Sequence, residues 1–321
     1  MSRPIIIDGH ADTLHSIWNG SPRFAERVEG EAIDMPLVKQ TGLTAQFFAI
    51  STIDGGRYVE PLPRWGLMLL DLFHRQVEAH ADDILHATCA DDVLTAHADG
   101  KLAAFVALEG GDFLDGRIEL LRMYHRLGVR LLVLTHFRRN ALADSTRESS
   151  TGGRLTPFGV EVVKEMERIG MIVDVSHVAD AGVDHVFDIA EKPIVSSHAN
   201  ARAVYDHPRN MTDAHLRRLA ENRGLIGLSI VPFFIDRGCR TFARFMDHME
   251  HVIQTAGIDH VGFGSDFDGF DYVEDPLIEG LEDISCFARV GEALSANGYS
   301  DEDVAKVLGG NWLRLVRDVL G

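Results

Sequence analysis

Two similar segments decide the fold: MIVDVSH at residues 171–177 and PIVSSH at residues 193–198. Each is a short apolar run that ends in serine and histidine, and the two histidines are 21 residues apart (198 − 177). Near-continuous apolar runs are typical of parallel strands that are buried on both faces. The spacing fits one strand-and-helix repeat, so both histidines are predicted at equivalent heights on neighbouring strands.

Six further apolar runs extend this pattern along the chain. They are IIIDGHAD (5–12), AQFFAIS (45–51), AFVALE (104–109), LLVLTH (131–136), GLIGLSIV (224–231) and HVGFGSD (260–266). Six of the eight runs end in, or shortly before, a side chain that binds metals or transfers protons; runs 45–51 and 224–231 carry no obvious chemical group. Polar groups at the C-terminal ends of many parallel strands are the pattern of a (β/α)8 barrel active site.

The segments between the runs show helical spacing of apolar residues. The predicted helices cover 63–80, 116–127, 157–169, 181–190, 213–222, 241–256, 283–297 and an element that begins at Ser300. Thr212 and Ser300 are predicted helix caps. Alternating strands and helices predict parallel βαβ units, and therefore an α/β fold consisting of a single (β/α)8 TIM-type barrel domain over residues 1–321. The rival, an open doubly wound sheet, would be expected to carry a glycine-rich phosphate turn, which this sequence lacks.

Composition limits the classes of binding partner and the cellular compartment that are expected for this protein. The 321-residue chain has a formal net charge of −18, which argues against nucleic acid or an anionic membrane as a partner. Its three cysteines, Cys89, Cys239 and Cys286, are widely spaced, so a disulfide framework or a cysteine zinc site is not expected. No apolar run approaches a membrane span, and the first residues do not resemble a signal peptide. A cytoplasmic protein without membrane attachment is the expectation.

Two strand ends carry candidate metal ligands: His10 and Asp12 could form half of a zinc site, and Glu109 could bridge two metals. His10 and Asp12 are two positions apart, so their side chains are predicted on the same side of the chain. Glu109 ends an apolar strand, and a buried lone carboxylate is costly unless it is paired or bound to a cation. The alternatives are a structural His-x-Asp pair and an exposed glutamate that opens a loop.

Further candidates lie at the ends of later strands. His136 ends the strand before His177 and His198, so three imidazoles are predicted at one barrel mouth. Asp266, at the end of the last strand, is the better candidate for proton transfer than Asp268, which is predicted to point elsewhere.

Imidazole and carboxylate donors without thiolates suit Zn²⁺ or Mn²⁺, with Zn²⁺ favoured by the number of histidines. One metal needs about three protein ligands, and at least five candidates are present, enough for two metals that share a carboxylate. Two close metals favour hydrolysis, because they bind a hydroxide at neutral pH and polarise the carbonyl that it attacks.

The ordered set of motifs resembles the membrane (renal) dipeptidase family, the zinc dipeptidases of the amidohydrolase-type barrels. The matching segments are DGHAD (8–12), AQFF (45–48), LEGG (108–111), LTH (134–136) with Asn140, DVSH (174–177), SH (197–198), RN (209–210), VGFGSDFDG (261–269) and GNWLR (310–314). They occur in family order from one end of the chain to the other. The first motif departs from the family, which often has asparagine where this chain has Ala11.

The resemblance implies a role for each candidate residue. His10 and Asp12 would bind one zinc ion, His177 and His198 the other, and Glu109 would bridge the two together with a hydroxide. The remaining candidates would act on the substrate: His136 would stabilise the oxyanion, Asp266 would transfer the proton to the leaving amine, Arg209 would hold the C-terminal carboxylate, and Asn210 would assist it.

The implied activity is hydrolysis of dipeptides, including those with a C-terminal D-residue. Another metal-dependent amide or lactone hydrolase on the same barrel is the alternative, and a catalytically inactive binding module is a third. The resemblance is also compatible with a homodimer. For Arg209 the alternative to a substrate-binding role is an ordinary surface charge in contact with solvent.

Overall fold

The computed structural model describes residues 3–54, 57–270, 272 and 274–321. Eight parallel strands form its centre. They are β1 (Ile7–Ala11), β2 (Ala45–Ser51), β3 (Leu102–Glu109), β4 (Val129–Val133), β5 (Ile172–Asp174), β6 (Val195–Ala199), β7 (Leu225–Leu228) and β8 (Val261–Phe263). Neighbouring strands pair in sequence order, β1 also pairs with β8, and the sheet is closed. The predicted (β/α)8 barrel is thereby confirmed.

The register of the strands brings their C-terminal ends to one level. Ser51 at the end of β2 pairs with Glu109 at the end of β3, which in turn pairs with Val133 at the end of β4. All eight strands are parallel, so these ends meet at one mouth of the barrel.

Helices surround the barrel between successive strands. They are Thr13–Trp18, Met35–Thr41, Leu62–Ala79, Ala90–Asp99, Ile118–Arg126, Pro157–Ile169, Asp180–Ile189, Asp213–Glu221, Pro232–Ile235, Phe242–Ala256, Cys286–Ala296, Asp301–Ala305 and Asn311–Leu320. The hydroxyl of Thr212 accepts from the His215 amide and that of Ser300 accepts from the Asp303 amide, as predicted for the two caps. In the described part of the chain, every helix is too short or too polar to cross a lipid bilayer.

The C-terminal helix closes the core by placing one large side chain against the strands. Trp312 is fully buried and its indole N–H donates to the Phe263 carbonyl over 2.8 Å. Only glycine fits beside it, because a Cβ at Gly9 would overlap the indole ring. The GNWLR segment therefore has a structural task, which is to fill the core below the mouth.

Several elements differ from the sequence predictions. A short strand, Ile84–His86, pairs with the start of β3 outside the barrel, and the helix Ala90–Asp99 follows it. The segment after β2 forms a small antiparallel hairpin of residues 53–54 and 57–58, whose tip lies outside the described residues.

Strands β5 and β8 end three residues before His177 and Asp266, which were predicted as strand ends. The backbone of His177 has φ of 66° and that of Asp266 has φ of 64°. A left-handed residue cannot continue a strand, so the chain leaves the sheet before these side chains.

Candidate metal centre and active site

Seven predicted site residues meet in one buried cluster at the barrel mouth. Glu109 lies at its centre, at the end of β3. One of its oxygens, Oε1, is 3.0 Å from His177 Nε2, 3.3 Å from His198 Nε2 and 3.7 Å from His10 Nε2. Its other oxygen, Oε2, is 3.5 Å from His136 Nε2. Four imidazoles contributed by different strands and loops therefore face one carboxylate, as a metal-bridging role for Glu109 requires.

His10 connects this centre to two more carboxylates. Its Nε2 lies 3.7 Å from Asp12 Oδ2 and 3.9 Å from Asp266 Oδ1. The side chains of His10 and Asp12 thus reach the same place, as predicted from their spacing. Burial alone would lower the pKa of His10, but Glu109 and Asp12 raise it to about 10. The pocket around His10 therefore favours a positive charge at this position.

The donor set fits metal ions. In three overlapping groups the ligand atoms all lie within 4.8 Å of one another: His10, Glu109 and His198; Glu109, His136 and His177; His10, Asp12 and Asp266. Both ring nitrogens of His10 and Oδ1 of Asp12 are buried without a hydrogen-bond partner. Buried polar atoms normally have partners, and clustered buried carboxylates need compensating positive charge. Cations at this place would satisfy both requirements.

His136 is held by a residue that sequence reasoning missed. Thr52 Oγ1 lies 2.7 Å from His136 Nδ1, and both side chains are buried. Burial lowers the pKa of His136 to about 3, so the ring is neutral at physiological pH. If Thr52 donates its hydroxyl hydrogen to Nδ1, the Nε2–H of His136 points into the cluster as a donor. The only available signal was that Thr52 directly follows the run 45–51.

Asp266 lies at the edge of the cluster. Its backbone N–H donates to the His10 carbonyl over 3.0 Å, which fixes the loop after β8 on β1. Burial raises the pKa of the Asp266 carboxyl to about 7. A carboxyl group with a pKa near neutrality is suited to accept and return a proton. By contrast, Asp268 turns away from the cluster, as predicted, and contacts Arg23 and the hydroxyl of Thr13.

Arg209 is a buried cation that is not in direct contact with a carboxylate. One of its guanidinium nitrogens donates to the His198 carbonyl over 3.0 Å, and the group lies over the Phe234 ring at 5.1 Å. Among the described residues it has no acidic partner within 4.0 Å, and its Nε is buried without a hydrogen bond. Burial lowers its pKa to about 10, so it remains charged. Such a cation is suited to an incoming anion.

The side-chain N–H groups of Asn210 donate hydrogen bonds to the protein backbone. Its amide nitrogen donates to the Tyr205 carbonyl over 2.9 Å and to the Phe234 carbonyl over 2.8 Å. These bonds connect the loop after β6 with the helix Pro232–Ile235. The geometry shows a structural task, and the predicted substrate contact stays a prediction.

Two buried aspartates behind the cluster were quoted in motifs but received no role from the sequence. Asp8 on β1 accepts from the backbone N–H of Ser265 over 2.8 Å and from its hydroxyl over 2.6 Å. Asp174 on β5 accepts from the backbone N–H groups of Ser176 and Ser197, over 2.8 and 3.1 Å. Each aspartate therefore joins the ends of two neighbouring strands just behind the candidate metal ligands.

A (β/α)8 barrel with a buried imidazole–carboxylate cluster at its C-terminal mouth defines the class: a metal-dependent barrel hydrolase. A sequence profile of the membrane dipeptidase family, peptidase family M19, matches residues 1–320. The chain therefore belongs to this family.

Named relatives agree with this assignment. The dipeptidase tcpJ of Claviceps purpurea is 39% identical over 253 residues, which cover 78% of this chain and 59% of that protein. The dipeptidase aclJ of Aspergillus oryzae is 34% identical over 340 residues, which cover 99% of this chain and 79% of that protein. The chain thus spans less than two thirds of the Claviceps relative.

Solved structures of the same family have the same fold. A dipeptidase described as an M19 metallopeptidase superposes with a TM-score of 0.90 at 26% identity and covers all of both chains. A metallopeptidase from Rhodobacter sphaeroides, solved with a phosphinate mimic of the dipeptide L-Ala-D-Ala, also has a TM-score of 0.90, at 25% identity. That match covers 99% of this chain and 100% of the Rhodobacter chain.

Proposed function

We propose that this chain is a zinc-dependent dipeptidase that hydrolyses the peptide bond of dipeptides, including those with a C-terminal D-residue. One observation carries the proposal: a carboxylate surrounded by four imidazoles lies beside a buried arginine that has no carboxylate contact in the described part of the chain. The first feature suits metal-assisted hydrolysis, and the second suits a substrate with a free carboxylate. A dipeptide has both a scissile amide and such a carboxylate within a short distance.

The proposed metal content is two zinc ions per chain. His10 and Asp12 would hold one, His177 and His198 the other, and Glu109, which lies between them, would be shared by both. When bound, zinc would supply a nucleophilic water at neutral pH and would polarise the substrate carbonyl.

Asp266 handles the proton in this proposal. Its carboxylate accepts a proton from the attacking water and donates it to the nitrogen of the leaving amine. Burial raises its pKa to about 7, which suits a group that accepts a proton and returns it. The loop that carries Asp266 is fixed by its backbone hydrogen bond to the His10 carbonyl, so the carboxylate stays at the cluster.

His136 and Arg209 act on the substrate. The neutral His136 ring donates from Nε2 to the carbonyl oxygen as negative charge develops there, while Thr52 fixes the ring at Nδ1. Arg209 binds the C-terminal carboxylate and thereby sets the distance between that group and the scissile bond. A longer peptide would place further residues where the carboxylate belongs, so dipeptides are preferred.

Tolerance of a C-terminal D-residue is supported by the Rhodobacter sphaeroides relative, which was solved with a mimic of L-Ala-D-Ala. A cytoplasmic location, the lack of membrane attachment and a homodimer remain predictions from the sequence.

The test is a panel of L-Xaa-L-Xaa and L-Xaa-D-Xaa dipeptides on zinc-reconstituted protein, with bound metal counted in parallel. We expect cleavage by protein that holds two zinc ions per chain, and loss of activity on chelation. Two zinc ions without cleavage of any dipeptide would contradict the proposal. Cleavage of lactones or cyclic amides by that same protein would then favour the alternative hydrolase.

A further inference from the structure

The loop between β4 and the helix Pro157–Ile169 brings an additional arginine to the mouth of the barrel. Ser145 forms an antiparallel bridge with Val178, and the Thr146 N–H donates to the His177 carbonyl over 2.8 Å. The next residue is Arg147, which is exposed. The loop is therefore hydrogen-bonded to the backbone of His177, a candidate metal ligand. Arg147 follows directly after the residue that makes this bond.

The guanidinium of Arg147 stacks on an aromatic ring at the edge of the cluster. The group lies 3.6 Å from the centre of the Phe137 ring. That ring packs against His136 at 4.1 Å and against His177 at 5.7 Å. Stacking on a ring face fixes a guanidinium while its N–H groups stay free to bind an anion.

Among the described residues Arg147 has no acidic partner, whereas Arg139 and Arg154, two of the other three arginines of the same loop, do. Arg139 lies 3.1 Å from Asp144, and Arg154 contacts Asp188. Within residues 3–54, 57–270, 272 and 274–321, no carboxylate lies within 4.0 Å of the Arg147 guanidinium. The chain carries 49 acidic residues against 31 lysines and arginines, so an unpaired arginine at this place is not explained by a shortage of anions.

Arg147 and Arg209 are close enough for their charges to interact. Burial is the main cause of the lowered pKa of Arg209, and the positive charge of Arg147 contributes in the same direction. Burial is likewise the main cause of the lowered pKa of His136 and of His207, and Arg147 contributes to both; the His207 ring lies 4.9 Å from the Phe234 ring. Two like charges held near one cluster repel each other, and a substrate with two carboxylates would relieve this repulsion.

We propose that Arg147 is a specificity residue that binds the side-chain carboxylate of an acidic C-terminal residue, while Arg209 binds the α-carboxylate of the same residue. The preferred substrates are then dipeptides that end in aspartate or glutamate. This inference rests on the proposed dipeptidase function and names its substrate class. An uncharged side chain of the same size would leave Arg147 unpaired and would bind less tightly.

The test compares Ala-Glu with its neutral isostere Ala-Gln, using both configurations of the second residue, on the zinc-loaded protein. We expect kcat/KM to favour Ala-Glu by about tenfold, since the new pair is charge-assisted but partly exposed to solvent. Arg147→Gln should bring the ratio close to one, mainly by slowing Ala-Glu. Arg147→Glu should reverse the preference in favour of Ala-Lys.

Arg138 provides the matched control. It belongs to the same loop, is exposed and stacks on an aromatic ring, Tyr58, at 4.1 Å. Arg138→Gln should leave the ratio of Ala-Glu to Ala-Gln as it is. The proposal is overturned if the unsubstituted protein cleaves both dipeptides equally well, or if Arg147→Gln slows both by the same factor. Failure to cleave any dipeptide is a different result, which contradicts the dipeptidase function itself.

Discussion

The two sides of the barrel mouth carry opposite charge although both are built from the ends of buried parallel strands. On the acidic side, β1 and the loop after β8 contribute Asp8, Asp12 and Asp266 around His10. On the basic side, the positive charge is that of Arg209, after β6. It lies beside His177, after β5, and His198, on β6, and burial lowers the pKa of both rings well below its usual value. Glu109 on β3 lies between the two sides. The acidic side is suited to hold cations and move protons, and the basic side to receive the substrate's anionic end.

Removing Asp266, the proposed proton carrier of the acidic side, should have the largest effect. Asp266→Asn keeps the shape of the side chain but cannot accept a proton, so we expect kcat to fall by about 10³-fold. The barrel and the zinc content should be retained, which circular dichroism and metal analysis would check. Activity within a fewfold of the unsubstituted protein would show that Asp266 does not transfer the proton.

Removing the cation of the basic side should have the next largest effect. Arg209→Gln deletes the proposed charged partner of the substrate carboxylate, and we expect kcat/KM for dipeptides to fall by about 10²-fold. Dipeptide amides lack the C-terminal carboxylate, so their hydrolysis should respond much less to this substitution. The control is the ratio of acid to amide hydrolysis, which should approach one in the variant. An unchanged ratio would place the carboxylate elsewhere.

The two buried aspartates behind the cluster permit a closer comparison of the two sides. Asp8 uses both of its oxygens on Ser265, whereas Asp174 accepts both of its hydrogen bonds with Oδ1 alone. Asparagine retains Oδ1, so Asp174→Asn should be nearly neutral for stability. Asp8→Asn replaces an acceptor by a donor and should lower the free energy of unfolding by about 1–2 kcal/mol. Urea denaturation of the zinc-free proteins measures the difference, and equal losses would contradict this account.

Much of the arrangement of the barrel mouth could be predicted from the sequence, because it depends on local patterns. The apolar runs at 171–177 and 193–198 predict strands, and the histidines at their ends predict one mouth. The barrel prediction is confirmed, and the structure brings His10, Glu109 and Asp266 together as their positions in the chain suggested.

The remaining features depend on contacts between distant segments. Thr52 and His136 are 84 residues apart in the sequence, and nothing in the run 45–51 predicts that their side chains are in contact. The strands β5 and β8 end early because His177 and Asp266 adopt left-handed backbone angles, which apolar patterns do not reveal. Whether an arginine such as Arg147 finds an acidic partner is likewise decided by the folded loop.

The last expected effect distinguishes the two sides by the pH dependence of stability. His248 is fully buried and connects elements of the basic side: its Nδ1 accepts from the Ala201 N–H over 3.1 Å, and its Nε2 lies 2.8 Å from the Ile235 carbonyl. Burial lowers its pKa from 6.5 to about 4. The neutral ring is required in the folded state, whereas the unfolded chain takes up a proton below pH 6.5. Its contribution to stability is therefore complete above pH 6.5 and is lost as the pH falls towards 4.

At pH 5 the loss of this contribution amounts to about 2 kcal/mol, from the difference between the two pKa values. His248→Gln cannot be protonated, so its stability should depend less on pH between 6.5 and 4 than that of the unsubstituted protein. Thermal unfolding of both zinc-free proteins across this range gives the comparison, in which the other 15 histidines of the chain cancel. A gap between the two curves that stays constant from pH 7 to pH 4 would mean that His248 does not titrate with unfolding. A difference in stability that becomes smaller on acidification would show that protonation of His248, a buried neutral histidine, destabilises the basic side.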